Sequence, residues 1–239
     1  MGRHGKKYSA AKEKLESRPY DVAEAIAKLG EIGWSGFDET VDIAMLLGVD
    51  PRHADQMVRG TVVLPHGTGK TKRVLAIVGG DKLEEAKQAG ADHIMSGAEA
   101  VEKIQGGFLE FEAVCASPDT MRDIGRLGKI LGPRGLMPNP KTGTVTQEIG
   151  KAISEIKGGK VEFRVNKTSI IHGVLGKRSF SPDQLRENFS AFVGAVQRAR
   201  PPAAKGRYIR SVHIGTTMSP SIEIEASAVD QLELREDRT

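Results

Sequence analysis

The chain has 239 residues, 38% of them hydrophobic and 28% charged, and a net charge of +4. That length suits one large domain or two modest ones. No apolar run approaches the roughly 18 residues that a membrane-spanning helix needs. The basic start Arg3-His4-Gly5-Lys6-Lys7-Tyr8 is followed by no apolar stretch, so it does not read as a secretory signal. The single cysteine, Cys115, sits in Ala113-Val114-Cys115-Ala116. It excludes an internal disulfide, fits a reducing cytoplasm, and reads as a small buried hydrophobe.

In chain order, a basic arm and helix come first. A second helix is predicted near Asp21–Leu29, with Asp21 as N-cap and Glu24 completing a capping box. Alternating Val41, Ile43, Met45 and Leu47 predict a strand over 39–49, and 59–64 reads as another. Residues 51–56 are a turn or short helix, and Pro65-His66-Gly67-Thr68-Gly69 is punctuation. The pattern then changes. Arg73-Val74-Leu75-Ala76-Ile77-Val78 is a continuous apolar strand of the kind buried in parallel sheets. Helices are predicted over 81–89, 98–105 and 118–131, with strands at 92–95 and 111–116 between them. This alternation argues for a parallel sheet with crossover helices. A Gly/Pro-rich loop at 132–141 leads to a helix from Thr146 to about Lys157, and Gly158-Gly159 reads as a hinge. Strands return at 160–165, 170–172, 208–214 and 221–224, with a long amphipathic helix from Ser181-Pro182-Asp183 to about Arg198.

The outer segments hold too few strands to cover a sheet separately, so they are expected to pair with each other. The predicted fold is therefore α/β in two domains. Residues 1–68 and 159–239 make a split α+β domain, and residues 69–158 form a Rossmann-like domain inserted into it. Charge follows the same division. Residues 159–222 carry eleven Lys or Arg against three acids, whereas residues 69–158 carry thirteen bases against twelve acids. The first segment reads equally as a phosphate footprint or as a solvated basic face.

Catalytic motifs fail on inspection. Gly67-Thr68-Gly69-Lys70-Thr71 lacks the first glycine of a P-loop, because Leu64 stands there, and a strand follows it instead of a helix. The apolar strand at 73–78 runs into Gly79-Gly80-Asp81, without the dinucleotide fingerprint. The six histidines are scattered, so no metal site is expected, and no cofactor is expected either. Aromatics are too few for a base-stacking platform. The informative pieces are Phe37-Asp38-Glu39-Thr40 and Thr216-Thr217-Met218-Ser219-Pro220. Each sets small hydroxyls and an apolar side chain beside a predicted strand, as gripping a folded RNA backbone requires. On pattern alone, Phe37 and Met218 read first as core residues.

Four stretches carry a resemblance. They are Phe37-Asp38-Glu39-Thr40-Val41-Asp42; Gly48 to Arg52 with Asp55 to Lys70, which includes Leu64-Pro65-His66-Gly67; Leu131-Gly132-Pro133-Arg134-Gly135-Leu136-Met137-Pro138-Asn139-Pro140-Lys141 through Val145; and Thr216-Thr217-Met218. On these the chain resembles the bacterial-type large-subunit ribosomal protein L-one family over about residues 3–225. The resemblance implies a first domain made from both chain ends and a Rossmann-like second domain. It implies a structural, non-enzymatic role in the cytoplasmic large ribosomal subunit. There the protein would bind rRNA of the mobile side stalk next to the tRNA exit site. It would help move and release deacylated tRNA, and repress its own operon by binding the mRNA. Free of the ribosome it would be a monomer, with no membrane partner. The implied RNA contacts are Phe37, Thr40, Lys167, Thr168, His172, Ser211, Thr216, Thr217 and Met218, which moves Phe37 and Met218 from core to surface. Ser219 stands where many members have glycine, so a less permissive turn is expected there. The acidic extension after about residue 226 is expected to be disordered. Two alternatives stay open at this point: a nucleotide-using enzyme on the Rossmann-like domain, and a general RNA chaperone.

Overall fold

The computed structural model describes residues 5–225, so the acidic extension lies outside the described residues. The chain divides into two compact units, Met1–Gly69 with Val161–Thr239, and Lys70–Lys160. In chain order the first unit opens with α1 (Lys6–Glu13), α2 (Val22–Ile32), β1 (Thr40–Leu47) and β2 (Arg59–Val63). The second contains β3 (Val74–Ile77), α3 (Leu83–Gln88), β4 (His93–Met95), α4 (Gly97–Gln105), β5 (Ala113–Ala116), α5 (Met121–Ile124), α6 (Gly128–Leu131) and α7 (Ile149–Lys157). The chain returns with β6 (Lys160–Arg164), β7 (Ile170–Lys177), α8 (Pro182–Arg198), β8 (Ile209–Thr216) and β9 (Ile222–Ile224).

In the first unit, β7, β1, β8 and β9 form an antiparallel sheet in that order, and β2 pairs with β6. Strands from the two ends of the chain therefore share one sheet. Helices α2 and α8 pack against each other and on one face of it. Val22, Ala25, Ile26, Leu29 and Ile32 recur at helical spacing and bury one stripe of α2. Leu185, Phe189, Phe192, Val193 and Val196 do the same for α8. Asp21 caps α2 by accepting from the Ala23 N–H at 3.2 Å, but the expected capping box is absent. Glu24 turns instead to Arg18, at 2.6 Å. The capping box belongs to α8, where Ser181 and Gln184 exchange hydrogen bonds of 3.3 and 3.0 Å.

Strand β7 is longer than the predicted 170–172, because Gly173 and Gly176 interrupt the apolar alternation without ending the strand. A Cβ at Gly173 would stand 2.3 Å from the Phe192 ring, so glycine here lets α8 lie close against the strand. Opposite Gly176, the register shifts between Val41 and Asp42 in a β-bulge.

In the second unit, β4, β3 and β5 form a parallel sheet in that order. Leu75 and Ile77 pack with residues of α4, α5 and α6, including Ala100, Ile104, Ile124 and Leu131. Val74 and Ala76 pack with Ala86 of α3 and with Ile149, Ile153 and Ile156 of α7. Both faces are covered, so the apolar run in β3 has no polar alternation. The predicted helix over 118–131 is broken into α5 and α6 by a 3-10 turn at Gly125–Leu127, where Gly125 and Gly128 weaken helix propensity. Helix α7 begins at Ile149, because the Thr146 hydroxyl accepts the Glu148 N–H at 3.2 Å ahead of it. Cys115 is fully buried, and burial pushes its thiol up to about 12, which leaves it an inert packing group. Gly67 and Gly69 have φ of +64° and +71°, and the chain beyond them enters β3. No helix N-terminus follows that loop to receive a phosphate.

Candidate nucleic-acid interface

The face of the four-stranded sheet opposite α2 and α8 is set by period two. Val41, Ile43, Met45 and Leu47 of β1 turn to the core, and Thr40, Asp42, Ala44 and Leu46 turn outward. Register places Ala44 between His172 on β7 and His213 on β8, with Glu223 of β9 beside His213. Leu46 lies between Ile170 and Ser211, and Asp42 between Val174 and Gly215. Ala44 and Gly215 keep the middle of this face low. His172 and Ser211 thus fall in neighbouring rows of it.

One end of the face is built around a buried acid. Glu39 is 0% exposed, yet it is fully partnered. Its carboxylate accepts from the Ser35 and Thr216 hydroxyls, from the Ser35 N–H, and from the Met218 N–H at 3.2 Å. Arg178 stands 3.7 Å away, and its guanidinium crosses the space that a side chain at Gly33 would occupy. Burial pushes the Glu39 carboxyl up, but the hydrogen bonds from Ser35, Thr216 and Met218 outweigh it and hold it below the ordinary carboxylate value. The Thr40 N–H donates to the Thr217 hydroxyl at 3.2 Å, and Lys177 donates to the Thr40 hydroxyl at 3.1 Å. Lys177 also donates to the Asp38 carbonyl at 3.2 Å. The loop after β8 is thereby tied to the segment before β1. Two apolar side chains project from this tied structure, Phe37 at 55% and Met218 at 49% exposure. Their first reading as core residues is therefore corrected: the anchor is the acid beside them.

The other end is the turn between β6 and β7. The Asn166 side chain accepts from the Thr168 N–H at 2.9 Å, the Thr168 hydroxyl at 2.7 Å and the Ile170 N–H at 2.9 Å. Ser169 has φ of +64°, the one positive value among described non-glycine residues, and its hydroxyl donates to the Val49 carbonyl at 2.8 Å. Lys167 is exposed at this turn. From Thr40 to Leu46 the strand rises about 20 Å, so the two ends are separate parts of the face and are not gathered into one pocket.

The nine residues singled out from sequence thus divide four ways. Phe37, Thr40, Thr217 and Met218 meet at one end, Lys167 and Thr168 at the other, and His172 and Ser211 lie between them. Thr216 differs from the rest. It is 6% exposed, with its hydroxyl given to Glu39 and standing 2.8 Å from that of Ser219, so it holds the loop and presents no free donor. Ser219 also accepts the Thr216 N–H at 3.1 Å without needing a left-handed backbone. The expected cost of replacing glycine there does not arise. Sequence reasoning missed Glu39, Lys177 and Asn166 as organisers. For Glu39 a signal was present: it shares the parity of Val41, Ile43 and Met45, so period two points it inward.

Among the described residues, no group of three or more His, Cys, Asp or Glu could hold a metal ion. No described helix is long and apolar enough to cross a membrane. The fold is that of an α/β chain in two units, and the sequence comparisons specify its family. The profile of the Ribosomal protein L1p/L10e family matches residues 29–220, and the chain belongs to that family. It is 55% identical to large ribosomal subunit protein uL1 of Solibacter usitatus, over 93% of this chain and 94% of that protein. It is 52% identical to the uL1 of Solidesulfovibrio magneticus, over 97% of this chain and 99% of that one. Against the uL1 of Gemmatimonas aurantiaca the identity is 54%, covering 95% and 99%.

Proposed function

We propose that this protein is a structural constituent of the large ribosomal subunit, not an enzyme, and that its first unit binds rRNA of the mobile side stalk through the open sheet face. Family membership supports the ribosomal role. The observation that carries the surface is the loop after β8 tied through Glu39 and Thr40 to the segment before β1, with Met218 standing out from the loop and Phe37 from the segment, beside hydroxyls and Lys177. Apolar side chains kept exposed by a rigid polar frame suit packing on ribose and base faces, while Lys167, Lys177 and the hydroxyls take phosphates and 2′-hydroxyls. The contact set is Phe37, Thr40, Lys167, Thr168, His172, Ser211, Thr217 and Met218, with Thr216 in support. Beside the exit site the protein assists movement and release of deacylated tRNA. The same face represses its own operon by binding an mRNA site that mimics the rRNA. Its place is the cytoplasmic ribosome, and it is a monomer when free.

The test is a gel-shift titration against the isolated stalk fragment, with an unrelated structured RNA as control, at two salt concentrations. Selective binding to the stalk that weakens with salt is expected. Equal, strongly salt-sensitive binding to both RNAs would leave only charge being read and would favour a general RNA chaperone.

A further inference from the structure

Besides Phe37 and Met218, another large apolar side chain stands exposed on the first unit beside positive charge. Met57, at 39% exposure, lines a cleft of about 720 Å³. Pro51 and Val165 add apolar wall, and Arg52, Arg164 and Lys167 bring three cations to it. That volume falls within the roughly 300–1,000 Å³ of small-ligand sites. Among the described residues none of these three cations has a carboxylate partner. The contrast is Arg59, which takes Glu162 of the same strand as Arg164 at 2.6 Å. The carboxylate of Asp50 is occupied too, accepting the Arg52 N–H at 3.0 Å and standing 4.0 Å from His53. Positive charge converging on one cleft without a counter-charge is unfavourable until an anion enters. A flat apolar surface of thioether and pyrrolidine beside it suits the face of a planar ring.

We propose that this cleft holds a single unpaired nucleotide, with its phosphate among Arg52, Arg164 and Lys167 and its base against Met57 and Pro51. The same chemistry has two sources: an unstacked nucleotide of a bound RNA strand, or a free nucleoside monophosphate. Lys167 is shared with the RNA surface proposed above, but Arg52, Met57 and Arg164 are not, so either proposal can fail while the other stands. The position of Lys167 is set beforehand by the Asn166 turn, which lowers the ordering cost of binding.

The experiment is an amide NMR titration of the full chain at low salt. The probes are adenosine 5′-monophosphate, an unstructured RNA hexanucleotide, a blunt RNA duplex and inorganic phosphate. Resonances of residues 51–57 and 164–167 are expected to shift with the mononucleotide or the hexanucleotide. Arg52→Ala with Arg164→Ala is expected to weaken that response about tenfold or more through lost charge-assisted contacts, and Met57→Ala to weaken it through lost packing on the base. Arg186→Ala with Arg198→Ala removes the same charge from α8 and is expected to change nothing. A response to the mononucleotide would make the free nucleotide a sufficient ligand; a response to the hexanucleotide alone would assign the nucleotide to RNA. The proposal is overturned if neither probe shifts these resonances, if duplex or inorganic phosphate does as well, or if the α8 variant weakens binding equally.

Discussion

The carboxylate of Glu39 has no access to solvent, yet it decides what the neighbouring surface presents. It collects donors from Ser35, Thr216 and the Met218 N–H, and so fixes where the Met218 side chain emerges. Glu39→Gln keeps the size of the side chain but turns one acceptor oxygen into a donor facing donors. We expect a loss of about 2 kcal/mol, from buried donors left unsatisfied, measured as a shift in denaturant midpoint. Because the folded carboxyl lies below its ordinary value, its stabilisation is complete above the unfolded value of about 4.3 and fades as pH falls through the folded one. The stability gap between wild type and Glu39→Gln should thus be level from neutral pH down to about 5 and close at lower pH. A gap that instead widens on acidification would contradict the hydrogen-bond account. At the surface, Thr217→Ala and Met218→Ala should each weaken stalk RNA binding by roughly 1–3 kcal/mol, with little change in melting temperature for Met218→Ala, whose side chain is exposed. Mutants that bind like wild type would misplace the site.

At the scale of elements, β7 and α8 show how close packing supports the open face. Gly173 faces the Phe192 ring with no room for a Cβ, and the next position back is His172 on the opposite face. Gly173→Ala should cost about 1–3 kcal/mol by overpacking, seen in equilibrium unfolding, and should weaken RNA binding by shifting His172. Most elements were legible because periodicity is local. The alternation in β1, the stripes of α2 and α8 and the apolar run of β3 each lie within one element. The start of α8 at Ser181-Pro182-Asp183 was legible for the same reason, though its capping box with Gln184 was not read and one was expected at Asp21 instead. The extent of β7 was not. Its glycines look like strand breakers until the ring that fills their space is known. Likewise the helix expected over 118–131 is divided at glycines whose cost depends on how each turn packs.

For the whole molecule, the uneven charge predicts which unit carries affinity. Residues 159–222 hold eleven bases against three acids, while residues 69–158 are nearly balanced. We expect that joining residue 69 to residue 161 through a short flexible linker leaves stalk RNA affinity largely intact, measured by the same gel shift on a variant shown to be folded. A folded deletion that no longer binds would move part of the site into the second unit. The sequence by itself determined the family, the kinds of element and their order, and the phase of each apolar stripe, because these depend on neighbours within a few residues. The surface position of Phe37 and Met218 came from the family resemblance and not from local pattern; only the tertiary structure decided that Thr216 is a buried support and that Glu39 is the anchor. Those outcomes depend on β1 pairing with β8, which joins Glu39 to Thr216 and Met218 across 177 and 179 residues. No local pattern records such a pairing, since the partner groups become neighbours only when the two ends of the chain share a sheet.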